Sequence, residues 1–118
     1  MNKLIVNVKS SVADAAVTVF KLQGHLDAQT VRELEGYYET ETTRAKYKWI
    51  VDLGQLEYIS SAGLGSFVGV LSELRSQGGD IFFVGLSPKM MKIFKVLGFT
   101  RIFKVYDGEA EALKGFNN

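Results

Sequence analysis

Two short runs of uninterrupted apolar residues, Trp49-Ile50-Val51 and Ile81-Phe82-Phe83-Val84, limit the fold more than any other feature of the chain. The first is bounded by Lys48 and Asp52 and the second by Asp80 and Gly85, and each fits a strand covered on both faces. Strands of that kind belong to parallel sheets, whose connections are long crossovers. The stretch between the two runs supplies one. Leu64, Phe67, Val68, Leu71 and Leu74 fall at i, i+3, i+4, i+7 and i+10. That spacing predicts an amphipathic helix, stopped by Gly78-Gly79.

The flanks extend the pattern. Leu4, Val6 and Val8 alternate with Ile5, Asn7 and Lys9, which predicts a first strand. Ser10 to Asp14 read as a polar turn, and Ala15 to Leu22 as a second strand, antiparallel to the first. Gly24-His25-Leu26-Asp27 reads as a loop with Asp27 as helix N-cap. Val31, Leu34, Tyr38 and Thr42 then recur near helical spacing, with Glu33, Glu35, Glu39 and Glu41 between them. Beyond Val84, Ser87 and Pro88 open a helix as N-cap and first residue. Met91, Phe94 and Leu97 line its inner face, and Gly98 closes it. Ile102 to Val105 read as an edge strand, and Gly108 to Phe116 as a short terminal helix. The predicted class is α/β: a mixed sheet with an N-terminal antiparallel hairpin, a parallel core and about four helices.

The 118 residues suit one domain spanning 1–118. At that length roughly two-thirds of the unfolded surface is buried on folding, enough for a core without metal or disulfide. There is no cysteine, so thiolate metal sites and cysteine nucleophiles are excluded. Asp52 has no second carboxylate nearby in sequence, and neither metal nor cofactor is expected. The net charge of +1 argues against a nucleic-acid binder working through bulk positive charge. The N-terminal stretch Met1 to Val8 is too short and polar for a signal peptide. No apolar run nears the roughly 18 residues of a membrane span. The expectation is a soluble, cytoplasmic protein.

The chemistry concentrates in Val51-Asp52-Leu53-Gly54-Gln55-Leu56-Glu57-Tyr58-Ile59-Ser60-Ser61-Ala62-Gly63-Leu64-Gly65. It reads as a buried strand, a short loop, two serines and the first turn of the apolar helix. Ligands and modifications collect at that edge of an open α/β sheet, and a phosphate is tolerated at a helix N-terminus. Serine is also a favoured N-cap, so capping and modification are both open for Ser60 and Ser61. A serine-hydrolase elbow is not met, because Ile59 stands where its first glycine belongs. His25, the one histidine, sits in another loop without an evident orienting acid, and reads as a surface residue beside the serine edge. Gly63 and Gly65 suggest close helix-on-sheet packing or room for a partner. They are not a dinucleotide fingerprint, since Val68 occupies the third glycine position. Lys89, Lys92 and Lys95, with Arg101 and Lys104 beyond, read as a solvated face or as a surface steering an acidic partner.

Taken in order, Gly24-His25-Leu26-Asp27-Ala28, Val51-Asp52-Leu53, Tyr58 to Gly65 and Val96-Leu97-Gly98-Phe99 resemble the STAS domain. Within it they resemble the stand-alone bacterial anti-sigma factor antagonists, across essentially the whole chain. The resemblance implies a non-enzymatic, cytoplasmic regulator. It would bind an anti-sigma factor with serine kinase activity and thereby release a sigma factor. Phosphorylation by that kinase would switch it off, and a serine phosphatase would reactivate it. The acceptor serine carries over to Ser61, with Ser60 as the alternative. Ser60 occupies a position that is usually acidic in the family. The implied partner surface comprises His25, Asp27, Tyr58, Ser60, Ser61, Ala62, Gly63, Leu64 and Gly65. The implied state is a monomer or weak homodimer, with neither nucleic acid nor membrane as partner. The alternative is a non-phosphorylated STAS scaffold in a transport or signalling complex.

Overall fold

A computed structural model describes residues 3–117, and the elements counted here are those of the described residues. One sheet holds five strands in sequential order: β1 (Leu4–Ser10), β2 (Val17–Leu26), β3 (Lys48–Ile59), β4 (Asp80–Val84) and β5 (Lys104–Tyr106). β1 and β2 are antiparallel, and the three later pairings are parallel. The helices are α1 (Val31–Thr43), α2 (Ser61–Ser76), α3 (Pro88–Val96) and α4 (Glu109–Phe116), with a 3₁₀ turn at Phe99–Arg101. The expected mixed sheet with a leading hairpin and four helices is therefore the observed one. Met1 and Asn2, at the head of the alternating N-terminal stretch, lie outside the described residues.

The two apolar runs are continuous because both their faces are covered. On one face Trp49, Val51, Ile81 and Phe83 pack under α1, α2 and α3. Phe83 stands edge-on to Phe67, Phe94 and Phe103 at centroid distances of 5.0, 5.0 and 5.1 Å. Each such pair adds roughly 0.5–1.5 kcal/mol beyond its area. On the other face Ile50, Phe82 and Val84 join Val17, Val19 and Ala112 of α4. Phe116 of α4 stacks on Phe82 at 3.9 Å. α4 shields only that part of the sheet. Ile5, Asn7, Lys9, Lys21 and Gln23 of β1 and β2 are exposed.

β3 departs most from expectation. The residues read as a loop after Asp52 are strand through to Ile59, beyond the last pairing with β4 at Asp52–Val84. Its register against β2 slips twice, between Lys21/Gln23 and Gly24/His25, each time leaving one extra residue on β3. Bulges of this kind re-aim side chains. Here they stretch the buried repeat to three, so Leu53, Leu56 and Ile59 all reach the core. A period-two search misses that pattern. Asp52 does order this segment, its carboxylate accepting the Gly54 N–H at 2.9 Å. β2 likewise runs on to Leu26, so Gly24 and His25 are strand rather than loop, and Ala15 and Ala16 fall outside it.

Several helical positions shift. Thr30, not Asp27, is the α1 N-cap. The Asp27 carboxylate instead accepts the N–H groups of Gln29 (2.9 Å) and Thr30 (3.0 Å), capping the turn that leads into the helix. Glu41, expected at the surface, is buried and accepts the Thr18 hydroxyl at 2.9 Å, with Arg44 at 3.3 Å. A buried carboxylate persists when bonded and paired in this way. In α3 the inward pair is Met90 and Phe94, at i and i+4. Leu97 becomes the C-cap and is 54% exposed. In α2 the stripe centres on Phe67, Leu71 and Leu74, which leaves Val68 at its margin, 42% exposed. The last strand is shorter than expected, because Phe99–Arg101 coil first and β5 begins at Lys104.

The α2 glycines divide into two kinds. A Cβ on Gly63 would fall 2.7 Å from Leu26 Cγ and 3.2 Å from Ile59 Cγ1, so close packing requires glycine there. A Cβ on Gly65 or Gly69 would meet nothing within 4 Å. The packing explanation expected for Gly65 thus applies to Gly63 alone. Tyr38 of α1 is buried, and its hydroxyl lies 3.0 Å from Ser66 Oγ on α2. Ser66 donates to the Gly63 carbonyl at 2.7 Å, so Tyr38 is the donor to Ser66. Burial pushes the Tyr38 phenol far above its ordinary range.

Two outcomes are expected in urea denaturation. Gly65→Ala and Gly69→Ala each stabilise the fold by up to about 1 kcal/mol, whereas Gly63→Ala destabilises it. At alkaline pH the unfolded Tyr38 ionises near 10 while the folded one stays neutral. Its contribution is therefore complete below about pH 10 and is lost as pH rises further. Tyr38→Phe costs about 1 kcal/mol at neutral pH from the lost hydrogen bond, and its stability falls less steeply above pH 10.

Candidate functional site

The site grows from the end of β3. Ser60 leaves the strand in extended conformation, and its N–H donates to the Leu26 carbonyl at 2.9 Å, fastening it to the end of β2. Its hydroxyl accepts the Gly63 N–H at 3.3 Å, so Ser60 is the N-cap of α2. Ser61 is the first helical residue. Its side chain is exposed and has no hydrogen-bond partner among the described residues. The adjacent serines thus differ in kind: one hydroxyl is committed to the backbone and the other faces outward. At this position the unpaired N–H groups and the dipole of α2 favour a negative group.

The end of β2 lies alongside. His25 pairs with Tyr58 across β2 and β3, their rings 5.8 Å apart. His25 Nε2 is 3.4 Å from the Glu57 carboxylate. Tyr58 is 49% exposed. The Thr30 hydroxyl donates to the His25 carbonyl at 2.9 Å and accepts the Asp27 N–H at 3.0 Å. Together with the Asp27 carboxylate it stiffens the β2–α1 turn. His25, Asp27, Tyr58, Ser60 and Ser61 therefore gather on one sheet edge. Of the remaining predicted residues, Ala62 and Gly65 are exposed, while Gly63 and Leu64 face inward. Their burial follows from the stripe that also contains Phe67 and Leu71.

Two residues escaped sequence reasoning. Glu57 precedes Ser60 by three positions and places a carboxylate on this edge, where Ser60 itself supplies no charge. The signal was its exposed place in a strand that was read as loop. Thr30 organises the turn credited to Asp27 alone. The one histidine is occupied by Glu57 and Tyr58, and no Ser–His hydrogen bond is present among the described residues.

The surface beyond Ser61 is uneven in charge. A groove of about 530 Å³ runs between α1 and α2, with Glu35, Glu39 and Glu73 along it and Gly65 and Gly69 beside them. α3 presents Lys89, Lys92 and Lys95 around Val96, which is 75% exposed. No helix among the described residues is long and apolar enough to cross a membrane.

Comparison with known proteins converges on the same architecture. BtrV of Bordetella bronchiseptica is 32% identical over 95 residues, which cover 80% of this chain and 82% of that protein. The anti-sigma-B factor antagonist of Staphylococcus aureus is 29% identical over 102 residues, covering 86% of this chain and 94% of that protein. The fold matches the crystal structure of an anti-sigma factor antagonist from Mycobacterium paratuberculosis with a TM-score of 0.86, at 20% identity over 98% of this chain and 96% of that one. It also matches the unphosphorylated form of the anti-sigma factor antagonist SpoIIAA, with a TM-score of 0.79 at 22% identity over 96% of each chain. The STAS domain model matches residues 4–112. With that match spanning the hairpin, the parallel core and the serine edge, the chain belongs to the STAS domain family.

Proposed function

We propose that this protein is an anti-sigma factor antagonist switched by phosphorylation of Ser61. The observation that carries the reading is the division of labour between the serines: Ser60 caps α2, and Ser61 offers a free hydroxyl at the helix N-terminus. The names of the relatives support the antagonist role. A SpoIIAA structure in the phosphorylated form shares the fold, with a TM-score of 0.71. In this reading the edge formed by His25, Asp27, Tyr58, Ser60 and Ser61, continued by Ala62 and Gly65, docks on an anti-sigma factor that is also a serine kinase. Docking releases the sigma factor. The partner supplies nucleotide, Mg²⁺ and base, so this chain needs no catalytic residue of its own.

The switch follows from charge. A phosphate adds about −1.5 to −2 charges at neutral pH. At the N-terminus of α2 it is favourable by roughly 0.3–1 kcal/mol, so the fold tolerates it. Across an interface, like-charge juxtaposition costs several kcal/mol. Each ~1.4 kcal/mol is tenfold in affinity, so a single phosphate ends docking. A phosphatase restores the free hydroxyl. Glu57, three residues before Ser60, adds a carboxylate to this edge, where its partner is His25.

The test is incubation with an anti-sigma kinase of the same genome and Mg-ATP, with the modified residue mapped by mass spectrometry. Phosphate is expected on Ser61 and not on Ser60. Ser61→Asp should weaken kinase binding at least about tenfold. Ser60→Ala should cost about 1 kcal/mol of stability through the lost cap while phosphorylation persists. Unmodified serines together with unchanged binding by Ser61→Asp would replace the switch with a constitutive scaffold.

A further inference from the structure

We infer that the outward face of α3 and the turn after it form a peripheral docking surface for an anionic lipid membrane, reaching to the end of the molecule opposite Ser61. The chain distributes its charge unevenly. Five of its 14 cations, and none of its 13 carboxylates, fall between Ile81 and Tyr106. Lys104 is turned to the α4 side, its ammonium 5.8 Å from the centre of the Phe82 ring. The other four, Lys89, Lys92, Lys95 and Arg101, are exposed and make no hydrogen bond or ion pair among the described residues. Four positive charges on one surface thus have nothing inside the molecule to neutralise them.

Apolar side chains share this surface. Met90 and Phe94 take the inward side of α3. Lys89, Lys92 and Val96 follow one another at i, i+3 and i+7, and so fall on one outward stripe. Clefts of about 400 Å³ and 350 Å³ flank Val96, each walled by lysines and apolar side chains and by no carboxylate. Leu97 and Ile102 are exposed as well, on either side of the Phe99–Arg101 turn. Single exposed apolar side chains are ordinary, but three large ones between Val96 and Ile102 make a patch with a cationic border.

Position separates this patch from the serine edge. α3 joins two parallel strands, so it runs back from that edge towards the opposite end of the sheet. The Ile102 carbonyl there accepts a hydrogen bond from the guanidinium of Arg75, in the last turn of α2. Arg75 lies 14 residues beyond Ser61 on α2, which at 1.5 Å per residue is about 21 Å. A membrane at this end leaves the serine edge open to its own partner. The chemistry favours lipid over a folded protein. Protein interfaces draw on exposed aromatic side chains and are depleted in lysine, whereas this surface has three lysines and no exposed aromatic residue. At a bilayer interface, apolar tips enter the acyl boundary while ammonium groups on flexible stems reach the headgroups. Each cation then adds its own attraction to the negative surface, with no fixed partner geometry to satisfy. The contact is peripheral, since no helix among the described residues is long and apolar enough to cross a membrane. It departs from the family resemblance, which implies no membrane partner, and it does not rest on Ser61 being modified.

The test is co-sedimentation of the full chain with lipid vesicles. At ~0.05 M salt the chain should bind vesicles of phosphatidylcholine containing about 30% phosphatidylglycerol, and not vesicles of phosphatidylcholine alone. Raising the salt to ~0.5 M should release most of it. Lys92→Glu/Lys95→Glu should weaken the partition at least about thirtyfold. Lys9→Glu/Lys21→Glu makes the same change of net charge on the uncovered part of the sheet and should weaken it far less. Val96→Ser keeps the charge and should weaken it about fivefold, because its side chain no longer enters the acyl boundary. All three variants should keep the parent melting temperature, since every altered side chain is exposed. Equal binding to both kinds of vesicle, or to neither, overturns the inference. So does a loss from Lys9→Glu/Lys21→Glu as large as that from the α3 pair, or a Val96→Ser variant that binds normally. Binding of polyglutamate with the anionic vesicles left bare would assign the face to an acidic protein instead.

Discussion

The structure depends on β3 being buried from both sides and then released. Over Trp49, Ile50 and Val51 the strand has β2 and β4 as neighbours, three helices on one face and α4 on the other. Every backbone group there is enclosed, so ladder pairing is obligatory. At Asp52 the β4 partner ends. β3 continues against β2 alone, takes up two extra residues, and arrives at Ser60 displaced from the line that a regular strand would follow. The Ser60 N–H bond to the Leu26 carbonyl then fixes where α2 begins. The serine edge is held by the strand that carries it and by its neighbour, with no contribution from a long flexible loop.

That arrangement separates stability from function over adjacent residues. Ser60 completes the α2 cap, Gly63 admits Leu26 against the helix, and Ser66 links the first turn to Tyr38. These groups hold the helix start from below. Ser61, Ala62 and Gly65 lie above and take no part in that support. An added charge on Ser61 meets a backbone already braced, so its effect is directed outward to whatever lies on the surface.

Much of this was legible in the sequence, for identifiable reasons. The runs at Trp49 and Ile81 announced buried parallel strands because burial on both faces removes alternation. Ser87-Pro88 marked the start of α3 because their chemistry is specific to the first turn. The serine pair at a strand-to-helix junction was visible as well. The segment from Leu53 to Ile59 was not, since two bulges convert a period of two into a period of three, and the resulting pattern matches neither template. The burial of Glu41 was invisible because its partner Thr18 lies far away in sequence. Phe94 was placed inward correctly, whereas Met91 and Leu97 came from an i, i+3 count where the buried pair, Met90 and Phe94, is spaced i, i+4.

The half-covered second face of the sheet gives the molecule a graded resistance to local opening. β1 has one strand neighbour, and its outward residues Ile5, Asn7 and Lys9 lie beyond the reach of α4, so its amides exchange with solvent through small fluctuations. β3 and β4 sit at the other extreme, where opening exposes Trp49 or Phe83 and so approaches global unfolding. The carbonyl that anchors Ser60 belongs to Leu26, on β2, at the boundary between these regimes. Breathing of the outer strand can proceed there while the pairing of β2 with β3 stays closed. The outer strand is still tied to that junction at one point, because the His25 N–H donates to the Lys3 carbonyl at 2.8 Å.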